Sequence, residues 1–166
     1  MIDKEILASF RDSSIDILKE LVVVAEKIGD AAGGDGFPVE LLQEFAQKID
    51  RIMGVAKTIA MEDPGHEGLK RIATLTELCK FIGYKAADQK NARMLPIFAA
   101  FLGDVVSAIE ELTVNIENPA AAQEVTKTFL PVLQKRLEWL KTKVASTPGQ
   151  PNSQADVDAL LKKFSK

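Results

Sequence analysis

The sequence predicts an all-α fold: an up-and-down bundle of four to five helices, a flexible linker and a C-terminal amphipathic helix. Three observations carry this. Apolar residues recur at alternating steps of three and four along the whole chain, the spacing of a helix stripe. No segment alternates apolar and polar residues with the period of two that a half-buried strand needs. Glycine- and proline-rich stretches cut the pattern into pieces of helix length.

The first helix carries Leu7, Phe10, Ser14, Ile17, Leu21, Val24 and Ile28 on one stripe, and "GDAAGGDGFP" at 29–38 ends it. Pro38 suits the first turn of the next helix, where its missing N–H costs nothing. The second stripe is Leu42, Phe45, Ile49, Ile52, Ala56 and Ile59, stopped by "EDPG" at 62–65. The third is Leu69, Ile72, Leu75, Leu78, Cys79 and Ile82, with a break expected near Gly83 or in the polar "ADQKN". The fourth runs from about Leu95 to Ile116 with Leu102, Val105, Ile109 and Leu112 inward, and Pro96 belongs in its first turn. After "NP" at 118–119 comes a fifth with Val125, Phe129, Leu133, Leu137, Leu140 and Val144. Pro131 would split it into two shorter pieces. Residues 1–146 then form the bundle domain, 147–153 a linker rich in breakers, and 154–166 a separate partner-binding helix.

Composition narrows the function. The chain has 166 residues, enough to bury a core without metals or disulfides. Its net charge of −3 and the lack of any basic stripe disfavour nucleic acid, which needs cations to neutralise phosphates. The apolar run "MLPIFAAFLG" at 94–103 is shorter than the roughly 20 residues of a membrane span. "MIDKEILASFRDSS" lacks the apolar core of a signal peptide, and the single Cys79 excludes an internal disulfide. The expectation is a cytoplasmic protein with neither membrane nor nucleic acid as partner.

The tail is the most informative stretch. In "SQADVDALLKKF", 153–164, Ser153 and Asp156 have the spacing of a capping box. Acids lie in the first turn, and Lys162, Lys163 and Lys166 at the negative end of the helix dipole. Val157, Leu160, Leu161 and Phe164 fall at i, i+3, i+4 and i+7, on one face. A helix this short is marginal alone in water and needs a groove to lie in. One alternative is that it packs back on its own bundle.

The polar positions of "SQADVDALL" go beyond amphipathicity. The stretch resembles the N-terminal peptide of flagellar switch proteins of the FliM type, of the form S-Q-acid-hydrophobic-D-A-L-L. That peptide binds the phosphorylated chemotaxis response regulator CheY. The layout of bundle, linker and terminal helix resembles the chemotaxis phosphatase CheZ. The resemblance implies that Ser153, Gln154, Asp156, Val157, Asp158, Leu160, Leu161 and Phe164 bind a CheY-like receiver. Their apolar face would fill its groove, and Asp156 and Asp158 would meet basic residues at the rim. A flagellar motor component or the chemotaxis kinase is a further implied partner, and the stripes of the first two helices leave a homodimer open.

The first two helices are similar to those of histidine phosphotransfer domains. On "KIDRIMGVAKTIA", 48–60, the pattern A-H-x-I-K-G-x-A-x-x-x-G matches at Ile52, Gly54 and Ala56. Asp50 stands where the phospho-accepting histidine belongs, with Met53 for the lysine and Ala60 for the last glycine. Such a bundle cannot pass phosphate and would serve as a non-catalytic scaffold. The lone His66, in "DPGHEG", reads as an exposed loop histidine with no metal cluster around it.

A receiver phosphatase needs only a carboxamide that orients water and a nearby acid. Mg²⁺ belongs to the receiver, so no cofactor of the chain's own is expected. Acid–amide pairs at helical spacing are Glu44 with Gln47, Gln47 with Asp50, Asp88 with Asn91, and Glu111 with Asn115. Such pairs are common on any solvated helix. The D-F-x-D-x-T-G-Q stretch of CheZ is absent, so catalysis rests on these pairs alone.

Overall fold

A computed structural model describes residues 1–31, 34, 36–90, 92–144, 158–159 and 162–163. The five helices are α1 (Lys4–Asp30), α2 (Val39–Glu62), α3 (Glu67–Gln89), α4 (Leu95–Val114) and α5 (Pro119–Val144), with no strand among the described residues. A short 3-10 turn, Ala92–Met94, leads into α4.

Neighbouring helices run antiparallel, and cross-helix contacts show it. Early α1 meets late α2, where the Met1 ammonium lies 3.8 Å from Asp63 Oδ2, and Glu20 pairs with Lys48. Asp50 of α2 pairs with Lys80 of α3 at 2.6 Å, and Lys57 with Glu77 at 3.4 Å. Asp104 of α4 pairs with Arg136 of α5. The most extensive seams are α2–α3 and α1–α4, and α1–α2 and α3–α4 close the ring. The fifth helix packs outside that ring, on α4 and α3. One end, here the upper, therefore carries the ends of α1, α3 and α5 and the starts of α2 and α4.

On α2, α3 and α4 the expected stripes are the core; on α5 Val125, Leu133 and Leu137 are buried and Phe129 flanks them, while the side chains of Leu140 and Val144 lie outside the described residues. Leu42, Phe45, Ile49, Ile52 and Ala56 are at most 1% exposed, as are Leu69, Ile72, Leu75, Leu78 and Cys79. In α1 the buried position is Leu18, with Ile17 only flanking the core. Steps of four then three from Ser14 through Leu18 to Leu21 follow the 3.6-residue turn as well as the expected stripe. Burial of Thr76, Thr113 and Thr126 costs little. Their hydroxyls donate to carbonyls one turn back, at Ile72, Ile109 and Ala122, over 2.7 to 2.8 Å.

Of the places left open for the end of α3, the structure uses the polar "ADQKN" and not Gly83, and the break expected at Pro131 is absent. The third helix runs through Gly83 to Gln89. Gly83 is buried against α2, where a Cβ would lie 3.5 Å from Ala46 Cβ and 3.6 Å from Leu42 O. It therefore serves close packing and not termination. The actual end is Lys90, left-handed at φ 48°, whose N–H donates to Ala86 O. The fifth helix is continuous across Pro131. Proline removes one helical N–H, and here it faces solvent while Phe129, Leu130, Leu133 and Leu137 hold both flanks to the bundle. Pro96 lies in the first turn of α4 as expected.

The apolar segment Ala92–Val114 is longer than its sequence run suggests. By length and composition it could cross a membrane, with mean hydropathy 1.6 over its most apolar window. Its apolarity also has a packing cause, since this helix touches α1, α3 and α5 together. Phe101, Leu102, Val105, Val106, Ala108 and Ile109 are fully buried there.

Candidate functional site

Of the acid–amide pairs, Glu111 and Asn115 border an open depression. Both lie in the last turn and cap of α4, at the lower end. Asn115 ends that helix, and its Nδ2 donates to Glu111 O at 2.9 Å. Three residues on, Asn118 begins α5 by accepting from the Ala120 N–H through Oδ1 at 3.1 Å. The two helices diverge from this tight turn around an open depression of about 430 Å³. Glu111, Asn115, Asn118, Glu124, Val125 and Thr128 line it. Two carboxylates, two carboxamides and a hydroxyl can order water or receive a cationic group there. They supply no thiol and no imidazole.

The other pairs fare differently. On α2, Gln47 is exposed, but Glu44 lies 3.7 Å from Lys48 Nζ and Asp50 is bonded to Lys80. That hydrogen bond, with the charge of Asp50, holds the Lys80 ammonium above its ordinary value. Asp50 is thus engaged in joining α2 to α3. Nothing in the local sequence announced a partner thirty residues away. Asp88 is exposed in the last turn of α3, and that helix stops at Gln89. Asn91 lies outside the described residues.

His66 is not a free loop histidine. It is the half-buried N-cap of α3, and its Nδ1 accepts from the Leu69 N–H at 3.2 Å. Cys79 is fully buried, and burial pushes its thiol well above the usual range. This fits a core residue and not a nucleophile. Among the described residues no group of three or more His, Cys, Asp or Glu side chains is placed to hold a metal ion.

In the tail, Asp158, Ala159, Lys162 and Lys163 are helical and exposed. These positions form the polar side opposite the apolar stripe expected from sequence. Ser153, Gln154, Asp156, Val157, Leu160, Leu161 and Phe164 lie outside the described residues, as do the linker and the expected domain boundary at 146–154.

Comparison with protein-family models, curated proteins and solved structures gives no match to this chain.

Proposed function

We propose that this chain is a cytoplasmic chemotaxis or two-component signalling protein that captures the phosphorylated form of a CheY-like receiver through residues 153–164. The observation that carries the reading is the "SQADVDALL" stretch. Its polar residues match a receiver-binding peptide at positions that amphipathicity leaves unconstrained. The bundle would be the body to which this helix is tied, and the linker would raise the local concentration of receiver beside it. Glu111 and Asn115 are the pair best supported for a role in dephosphorylation, because they border an open depression with further polar groups around it. To position a water, the Asn115 amide has to work from its cap on Glu111 O or release that bond.

A second reading is a non-catalytic scaffold that docks a kinase or motor component. The Asp50–Lys80 bond favours it, since the position equivalent to a phospho-acceptor is spent on structure.

The test is titration of full-length protein into a receiver of this class with and without beryllofluoride, which mimics the aspartyl-phosphate. Tighter binding in the presence of beryllofluoride is expected, and Leu160→Asp with Leu161→Asp should abolish it. Equal binding in both states would remove the phospho-specific capture. Dephosphorylation faster than the receiver alone, lost in Asn115→Ala with binding intact, would select the enzymatic over the scaffold form.

A further inference from the structure

The ring of α1 to α4 closes on itself, and α5 packs outside it on α4 and α3. From Pro119 to Trp139 the large apolar side chains of α5 that are buried are Val125, Leu133 and Leu137. In α2, a helix of similar length, Leu42, Phe45, Ile49, Ile52 and Ile59 are all buried. Between Thr126 and Leu133 α5 is held least: Phe129 and Leu130 are half-buried, and Pro131 and Val132 are exposed. Pro131 also removes a helical N–H there, so the weakest point of the helix coincides with its weakest contact. The face of α4 beneath α5 is itself partly polar. Asp104, which pairs with Arg136, and Glu111 and Asn115, which line the depression, lie along it at helical spacing. Such a face can meet water, unlike the opposite side of α4 with its buried Leu102, Val106 and Ile109.

We propose that α5 is a strap that opens from α4 as a unit while the α1–α4 ring stays folded, and that its docking assembles the depression. Glu111 and Asn115 come to that depression from the end of α4, and Glu124, Val125 and Thr128 from α5. Opening parts the two halves and leaves the Glu111 and Asn115 pair on a bare helix end. The partly exposed Asp104–Arg136 ion pair is the clasp. A partner that touches both halves binds the docked form alone and so draws the strap closed. The strap does not depend on the receiver reading above; only the use of Glu111 and Asn115 in dephosphorylation does.

Hydrogen exchange of the full-length protein under native conditions, read by mass spectrometry, tests this. Amides of residues 123–139 should lose protection together, well before those of α2 and α3. Pro131→Ala restores the missing N–H at an exposed position and should raise the protection of α5 by up to about a hundred-fold. Arg136→Met removes the clasp and should lower it. Neither variant should change α2 or α3. Trp139, the chain's only tryptophan, lies on the strap and gives an independent reading. Its fluorescence should change at a lower urea concentration, and with a shallower slope, than the main transition at 222 nm, because opening exposes only part of the surface. Protection of α5 equal to that of α2 and α3, or variants that shift all the helices together, would make the bundle one cooperative unit and overturn the proposal. Exchange that advances from the Val144 end, while residues near Val125 stay as protected as the ring, would be fraying and would overturn it too.

Discussion

Replacing Gly83 with alanine should stabilise this protein, although the local sequence reads as a helix break there. The residue sits inside α3, and a Cβ would meet Ala46 Cβ at 3.5 Å and Leu42 O at 3.6 Å, both ordinary contact distances. Alanine in a helix interior is favoured over glycine by about 1 kcal/mol. The added methyl gains dispersion and burial without strain, so a net gain of about 1 kcal/mol is expected. For a chain of this size that raises Tm by about 2–4 °C. The assay is thermal and urea denaturation followed by circular dichroism at 222 nm. Gly83→Leu provides the contrast: its bulk has to part α2 from α3, at a cost of about 1–3 kcal/mol. Lower stability in Gly83→Ala would refute the continuous, closely packed α3, because a residue that ends a helix with φ positive loses stability on gaining a Cβ.

Other outcomes follow from single groups. His66→Ala should cost about 1 kcal/mol by removing the acceptor at the start of α3, and His66→Asn should restore most of it. Phe101, fully buried in α4, should cost about 3–5 kcal/mol on change to alanine, read as a lower urea midpoint with unchanged slope. Because Asp50 raises the Lys80 pKa above 10.5, the pair's contribution is fully present below that value. It fades as pH rises through the folded-state pKa. Wild type should therefore lose stability relative to Lys80→Met only in strongly alkaline solution, with no difference in slope between pH 6 and about 9. Both partners are partly exposed, so the effect stays below about 1 kcal/mol. Cys79 should resist thiol reagents in the folded protein and react at the rate of global opening, which hydrogen exchange of core amides measures independently.

The bundle was legible because helix stripes are set by the chain's own period. Every apolar position expected on α2 is buried. Punctuation was legible in part: α3 ends in "ADQKN", one of its two expected places, but α5 is not split at Pro131. Gly83 and Pro131 are breakers in isolation, but packing against α2 makes room for one and solvent exposure excuses the other. Lys90, inside "ADQKN", ends α3 in a left-handed conformation for which lysine has no preference. At the candidate site, sequence supplied Glu111 and Asn115 by their spacing. It could not supply Glu124 or Thr128, which reach the same depression only because α5 folds back on α4. The Asp50–Lys80 pair is likewise a product of antiparallel packing. The proposed receiver capture rests on nine tail residues, "SQADVDALL".

The measurement closest to the central claim is a calorimetric competition with activated receiver. Full-length protein is titrated first, and the 151–166 peptide is then added to the complex. The account predicts one-to-one binding of both, with the peptide displacing the chain completely and Phe164→Ala weakening both together. A chain that binds while the peptide neither binds nor displaces it would place the receiver contact on the bundle and contradict the account.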